Sequence, residues 1–202
     1  METGLLGVKM KEKEKNSRIY IVEGVQGSGK TTATGYLSQK NGCRSFRGIP
    51  SGQELTNNCE AENWRQSMNI FELALNSSNG ITTIMDRSIW SLVAYNIGKK
   101  PDCHLLIYGL GKRMFDRRLM KEEFGCTIVF LEVNPSLSFQ REDNSGFHSR
   151  GSIEEVIVET QVYSWLMEKL ERDGYDVIRV KNNDVSKREF LGLVEQAIMV
   201  NV

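Results

Sequence analysis

The strongest constraint on this chain of 202 residues is one short segment near its start, Gly24-Val25-Gln26-Gly27-Ser28-Gly29-Lys30-Thr31. The segment fits the pattern G-x-x-x-x-G-K-S/T at every position. An apolar run at residues 19–22 precedes it, and a helical pattern at residues 30–39 follows it. A strand, a glycine-rich loop and a helix in this order are the context in which the pattern forms a phosphate-binding loop.

The residue types of this loop indicate what it binds. Glycines let the backbone turn tightly, so that successive N–H groups point inward at phosphate oxygens. The Lys30 ammonium group can reach the β- and γ-phosphates, and the Thr31 hydroxyl can ligate Mg²⁺. We therefore predict a site for a nucleoside triphosphate and Mg²⁺, formed by Gly24, Gln26, Gly27, Ser28, Gly29, Lys30, Thr31 and Thr32.

The rest of the chain alternates short apolar runs with helical patterns. The runs predict strands at residues 19–22, 43–46, 81–85, 127–133 and 175–180. Helices are predicted at residues 60–76, 88–97, 105–123, 153–170 and 190–198, with another beginning at Pro135. This order predicts an α/β chain with the P-loop NTPase fold, a five-stranded, mainly parallel sheet with helices on both faces. Residues 17–202 would form its single domain, after a charge-alternating and flexible leader at residues 1–16.

Composition argues against several classes of protein. The chain has 26 Lys and Arg residues against 26 Asp and Glu residues, whereas a protein that mainly coats nucleic acid has a strong basic excess. No apolar run approaches the roughly 18 residues of a membrane span. Its four cysteines stand apart and it has only two histidines, which argues against structural zinc. We expect a cytoplasmic protein with free thiols and no membrane partner.

Two further places carry candidate chemistry. Asp86 ends a predicted strand, where it could hold Mg²⁺ through water, and Arg87 beside it could clamp an anionic acceptor. Alternatively, Asp86 caps the next helix and Arg87 is an ordinary surface residue. Arg141 and Arg150 flank a polar, glycine-punctuated stretch that suits a lid over transferring phosphate, at about residues 141–151. Alternatively, these charges are simply solvated.

Several segments together resemble the thymidylate kinases and their relatives, the deoxynucleoside kinases. Residues 21–32 are similar to the start of these enzymes, and residues 130–135 resemble their fourth strand. Residues 86–88 with 91–96 are similar to the thymidylate kinase pattern D-R-Y/F … S-x-A-Y-Q, and Tyr163 lies where that family has an R-x-x-Y element. The resemblance runs in pieces from about residue 18 to residue 195, and its P-loop is the most specific part.

The resemblance implies that a homodimer transfers the γ-phosphoryl group of ATP to a nucleoside monophosphate, a pyrimidine such as dTMP or a relative. Lys30 and the loop amides would hold the donor, and Arg87 would hold the acceptor phosphate. Arg47 would touch the reacting phosphates, and Arg141 and Arg150 lie where the family has its lid. A lysine and arginines can neutralise the charge that builds on the migrating group.

The resemblance also implies where the acceptor base lies. Phe71 matches an aromatic residue that stacks on the base, with Tyr95 and Asn96 nearby. Leu75 stands where the family has an arginine that reads the thymine edge, and a leucine donates no hydrogen bond. We therefore expect a divergent enzyme acting on another or a modified pyrimidine nucleotide.

Three alternatives remain open. Residues 85–91 also resemble a deoxynucleoside kinase segment, but Arg47 and Gly48 stand where such an enzyme needs a carboxylate base. A polynucleotide kinase would use a basic groove, with Lys112, Arg113, Arg117 and Arg118 as its candidates. A nucleotide-binding switch would bind ATP without an acceptor.

Overall fold

The computed structural model describes residues 18–40, 42–49, 59–78, 81–119, 125–144, 151–183 and 185–199. Its strands are β1 (Arg18–Glu23), β2 (Cys43–Arg47), β3 (Thr82–Asp86), β4 (Gly125–Glu132) and β5 (Asp176–Lys181). Its helices are α1 (Lys30–Leu37), α2 (Glu60–Asn76), α3 (Ile89–Lys99), α4 (His104–Leu119), α5 (Pro135–Asn144), α6 (Ile153–Arg172) and α7 (Lys187–Met199). Within these described ranges, no helix is both long and apolar enough to cross a membrane.

The five strands form one sheet in the order β2-β3-β1-β4-β5, and every neighbouring pair is parallel. In the central strand, Ile21 lies opposite Met85 of β3 on one side and Ile128 of β4 on the other. This arrangement confirms the predicted α/β class and five-stranded sheet. The carboxyl ends of all strands lie at the same edge, where open α/β sheets bind their ligands.

Apolar layers cover both faces of the sheet because successive side chains of a strand point to opposite faces. Ile21 belongs to the larger cluster, which includes Phe71 and Trp90 from the helices. Tyr20 belongs to the smaller cluster, with Val194 of α7. The two layers hold β1, and therefore the loop that follows it, from both sides.

The structure corrects one prediction about the lid. The stretch from Arg141 was predicted to be a loop, but residues 141–144 form the last turn of α5. This helix begins at Pro135, and the Asn134 side chain accepts a hydrogen bond from the Ser136 N–H (2.9 Å) at its start. Proline and asparagine are favourable there, and nothing in residues 141–144 stops the helix. Arg150 and the leader lie outside the described residues.

Gly48 directly follows β2, and its backbone packs tightly against the backbone of Asp86 and Arg87. Its N–H donates to the Asp86 carbonyl (2.9 Å), and its carbonyl accepts from the Ser67 hydroxyl (2.7 Å). A Cβ at position 48 would lie 1.9 Å from the Arg87 carbonyl oxygen. The backbone of Asp86 and Arg87 therefore leaves no room for a residue larger than glycine at position 48.

We predict that Gly48→Ala lowers the free energy of unfolding by about 1–3 kcal/mol, the usual cost of forcing an extra methyl group into a packed site. Denaturant titration would measure the change. Gly192→Ala is the matched control, because a Cβ at that position in α7 meets nothing within 4 Å. It should stabilise the protein by about 0.5–1 kcal/mol. Equal stability of Gly48→Ala and the unaltered protein would contradict the close approach.

Candidate active site

The loop between β1 and α1 has the conformation that its glycines predict. Gly24, Gly27 and Gly29 have φ angles of 147°, 75° and 94°, which side-chain-bearing residues rarely adopt. At Gly27 an added Cβ would also lie 2.6 Å from the Ser138 carbonyl oxygen. The glycines are therefore required both by backbone conformation and by the approach of α5.

Lys30 lies at the centre of this loop and is only 5% exposed. Its Nζ donates hydrogen bonds to the Gly24 carbonyl (2.8 Å) and the Val25 carbonyl (2.5 Å). Burial, and then the nearby Arg87 guanidinium, hold the pKa of Lys30 well below its usual value. The ammonium group is thus fixed at the loop, within reach of the phosphates that such a loop binds.

Three side chains, two from α5 and one that directly follows β5, support the outer side of the loop. The Ser138 hydroxyl donates to the Gln26 carbonyl, and the Asn182 side-chain amide donates to the Ser28 carbonyl (2.8 Å). The Arg141 guanidinium donates to the Gly27 carbonyl (3.3 Å). Arg141 therefore contacts the loop directly. Ser138 and Asn182 were not predicted, because no local pattern shows that their distant segments meet the loop.

Thr31 and Asp86, the two predicted metal ligands, lie together. The Thr31 hydroxyl donates to Oδ2 of Asp86 (2.9 Å), and Oδ1 of Asp86 is buried without a hydrogen-bond partner. Mg²⁺ prefers such oxygen ligands and keeps several waters. The residues therefore fit a magnesium ion. Asp86 does not cap α3, since the Ser88 hydroxyl accepts from the Trp90 N–H (3.2 Å) in that role.

Arg87 follows Asp86 with a φ of 70°, in the left-handed region that an arginine seldom adopts. Its N–H donates to the Val22 carbonyl of β1 (3.0 Å). Arg87 lines the same cleft as Lys30 and Thr31. Strain of this kind persists only where surrounding contacts hold it, and it clusters at functional sites.

Glu23, the last residue of β1, lies directly beneath the site. It is completely buried, and its carboxylate accepts hydrogen bonds from Ser88 Oγ (2.7 Å) and Ser91 Oγ (2.6 Å). Tyr163 in turn donates its hydroxyl to Ser91 Oγ (3.1 Å). Burial raises the pKa of Glu23 above its ordinary value. We did not predict this residue, although a lone acidic side chain at the end of an apolar strand was the signal.

A cleft of about 2070 Å³ lies at the carboxyl ends of the strands, and most of the predicted site residues line it. The predicted residues that line it are Gln26, Gly27, Gly29, Lys30, Thr31, Thr32, Arg47, Asp86, Arg87, Tyr95 and Arg141. Arg47 is exposed at the end of β2, and the Tyr95 ring is 58% exposed, with Lys99 Nζ 4.1 Å from its centre. The residues of the glycine-rich loop and the arginines at the ends of β2 and β3 thus share one cavity.

Two predicted residues are turned away from the cleft. Phe71 is 1% exposed and stacks on Phe115 in the core, with ring centres 4.8 Å apart. Asn96 is 4% exposed and donates to the Leu92 carbonyl of its own helix (2.9 Å). Neither residue lines the cleft. The expected stacking of Phe71 on an acceptor base therefore has no open ring face in this structure, because the buried side of α2 faces the core.

Comparison with known proteins identifies the fold. No protein-family model and no curated protein sequence matches the chain. Among solved structures, deoxyadenosine kinase from M. mycoides with bound dCTP is similar at 13% identity, with a TM-score of 0.62 over 90% of this chain and 99% of that one. YorR from Bacillus subtilis, in complex with phosphorylated GDP, is similar at 15% identity and a TM-score of 0.64, over 91% and 96% of the two chains.

Thymidylate kinase from Candida albicans is similar at 15% identity, with a TM-score of 0.61 over 92% of each chain. At such low identities these likenesses show the fold alone. That fold is the one used by P-loop nucleoside and nucleotide kinases. The fold implied by the motif resemblance to thymidylate and deoxynucleoside kinases is therefore confirmed, over 90–92% of this chain.

Proposed function

We propose that this protein transfers the γ-phosphoryl group of ATP to a nucleoside monophosphate in the presence of Mg²⁺. The observation that carries the proposal is the shared cleft. Lys30 and the Thr31–Asp86 pair lie on its loop side, and Arg47 and Arg87 lie at the ends of β2 and β3. Donor phosphates and an anionic acceptor would meet between these groups.

The chemistry needs positioning and positive charge more than a strong base. A phosphate oxygen of the acceptor attacks the γ-phosphorus as the bond to the β–γ bridging oxygen breaks and ADP leaves. Lys30 would stabilise charge on the donor phosphates, and Arg87 and Arg47 would orient the acceptor phosphate. Thr31 and Asp86 would hold Mg²⁺, which would supply further neutralisation of the phosphate charge. Arg141 would add charge from the outer side of the loop.

An acceptor with a negatively charged phosphate would account for the two arginines, Arg47 and Arg87, that line the cleft. A pyrimidine nucleotide such as dTMP or a relative is proposed on the motif resemblance. Because Phe71 is buried, Tyr95 is the aromatic side chain that lines the cleft with an exposed ring, and it is the better candidate for stacking on the base. Leu75 is also buried, at 2% exposure, so it lies in the core and does not read the base edge.

A nucleoside hydroxyl is the second candidate acceptor, because three glutamates of α6 also line the cleft. Glu154, Glu155 and Glu159 could accept hydrogen bonds from sugar hydroxyls or remove a proton. The motif resemblance to deoxynucleoside kinases points the same way. By contrast, the basic run of α4 is partly paired, since Lys112 bonds to Asp116 (2.8 Å) and Arg118 to Glu72 (3.3 Å). That pairing disfavours a polynucleotide acceptor.

A coupled ADP-release assay tests the proposal. Mg-ATP is supplied with a panel of nucleosides and nucleoside monophosphates that includes thymidine and dTMP. Turnover confined to monophosphates supports the proposed reaction, and the best base defines the acceptor. Turnover confined to nucleosides replaces it with the second candidate. No phosphorylation of any compound in the panel contradicts both.

We also propose that the protein acts as a homodimer, with α4 in the interface. Leu105, Leu106 and Leu110 on this helix are 62%, 77% and 52% exposed, an apolar surface that water disfavours. Sedimentation velocity should show a dimer, and Leu106→Glu should shift it towards the monomer. A monomer at every concentration of the unaltered protein would contradict the proposal.

A further inference from the structure

Glu23 is a buried charged residue to which the proposed phosphoryl transfer gives no role. Glu23 has no exposed surface, yet it lies at the carboxyl end of β1, immediately before the phosphate-binding loop. Burying a carboxylate is costly, and it is tolerated where hydrogen bonds and opposite charges compensate. The groups that hydrogen-bond to the Glu23 carboxylate or lie near it as charges therefore indicate its role.

Both carboxylate oxygens are engaged by the start of α3. Oε1 accepts from Ser88 (2.7 Å) and Oε2 accepts from Ser91 (2.6 Å). Ser88 directly follows Arg87 and also caps α3 through the Trp90 N–H. Glu23 consequently holds the first turn of this helix by two charge-assisted hydrogen bonds.

The residue held next to this turn is the strained one. Arg87 has its left-handed backbone conformation, and its N–H is bonded to the Val22 carbonyl of the same strand that carries Glu23. The Arg87 guanidinium also attracts the Glu23 carboxylate, which lowers the pKa of Glu23 against the larger effect of burial. Strand β1 thus holds the backbone around Arg87 at two points. The Val22 carbonyl accepts from the Arg87 N–H, and the Glu23 carboxylate accepts from the hydroxyl of the next residue, Ser88.

We propose that Glu23 is a positioning residue whose ionised carboxylate fixes the Arg87–Ser88 turn, so that the Arg87 guanidinium meets the acceptor phosphate. This inference rests on the proposed function, because it takes Arg87 as the group that binds the acceptor. Glu23 itself is too deeply buried to touch a substrate. Its effect is therefore expected on acceptor binding and not on the binding of ATP.

The protonation state of Glu23 matters for this role. An ionised carboxylate accepts charge-assisted hydrogen bonds from both serines, whereas a protonated carboxyl is a weaker acceptor and carries an O–H donor on one oxygen, so the hydrogen bond from Ser88 or Ser91 to that oxygen is weakened. The charged groups that face Glu23 are Lys30 and Arg87, and Tyr163 reaches it through Ser91. Because burial raises the pKa of Glu23, the positioning is present above that raised pKa and is lost as pH falls through it.

The test uses Glu23→Gln, which keeps the size of the side chain and imitates its protonated form. Dissociation constants of dTMP and of Mg-ATP are measured by calorimetry across a range of pH. At neutral pH the variant should bind dTMP about tenfold more weakly and ATP within about threefold of the unaltered protein. The ratio of the two proteins' dTMP constants should fall towards one as pH decreases. Titration of dTMP itself affects both proteins and cancels in this ratio.

A merely structural role would give a different pattern. The melting temperature of Glu23→Gln should not fall at neutral pH, because the amide removes the cost of burying a charge. Glu62→Gln is the matched control, since Glu62 bonds to Arg65 on the surface of α2 and should leave both constants unchanged. Equal weakening of dTMP and ATP with a lower melting temperature would overturn the proposal, and so would a ratio that does not change with pH.

Failure of the proposed function can be told apart from failure of this inference. If the unaltered protein binds ATP but not dTMP, the dTMP assignment fails. Hydrogen exchange at the amides of residues 87–90 then decides the role of Glu23. Exchange there should be faster in Glu23→Gln than in the unaltered protein, because the turn loses its anchor, and unchanged exchange would overturn the inference.

Discussion

Replacing Lys30 by methionine is expected to lower kcat for phosphoryl transfer by about 10³-fold or more. Methionine keeps most of the volume of the side chain but has no charge and no N–H donor. Lys30 Nζ donates hydrogen bonds to the Gly24 and Val25 carbonyls, which fix its positive charge at the loop. Single-turnover measurements with saturating Mg-ATP would give the change in the chemical step.

Protein stability separates this effect from unfolding. Burial holds the pKa of Lys30 low, which means that the folded protein bears a cost for keeping this side chain charged. Lys30→Met should therefore melt no lower than the unaltered protein. Lys40→Ala is the control lysine, because Lys40 pairs with Glu195 at the surface (2.9 Å) and should leave kcat within about twofold. Retained activity in Lys30→Met would remove the loop from the mechanism.

The elements that could be predicted from the sequence are those whose pattern is local. Helix α2 has the predicted bounds, because Trp64, Met68, Phe71 and Leu75 recur at helical spacing and all four are buried. The loop at residues 24–31 was predictable for a similar reason, since its glycines meet a backbone requirement within a few residues. Local stereochemistry carries this information without any tertiary contact.

Several site residues could not be predicted because they depend on contacts between distant segments. Asn182 supports the loop from 154 positions along the chain, and Glu23 acts through serines of α3. Phe71 shows the opposite case. The same spacing that predicts a buried helix face turns its ring inward, and the family resemblance alone assigned that ring to a substrate. Where helical periodicity and a motif assign one side chain to two places, packing decides.

The second large effect is expected at Arg87, whose replacement by alanine should lower kcat/KM for the acceptor by about 10²-fold. A planar guanidinium can hold a phosphate by two parallel hydrogen bonds, and alanine offers none. The dissociation constant of Mg-ATP should stay within about threefold, since Lys30 and the loop amides remain. Steady-state kinetics with acceptor varied, together with ATP binding measured separately, would show this split.

The left-handed backbone at position 87 makes a second variant informative. At a φ of 70° the backbone of an alanine is strained in the same way as that of the arginine, whereas a glycine adopts this φ without strain. If the missing guanidinium causes the loss, Arg87→Ala and Arg87→Gly should lose acceptor turnover to the same extent, and the glycine variant should be the more stable of the two. If Arg87→Gly regained activity, backbone strain would be the cause. Unchanged acceptor KM and kcat in both variants would show that the acceptor binds elsewhere in the cleft, and the arginine at the end of β2, Arg47, would be the next side chain to replace.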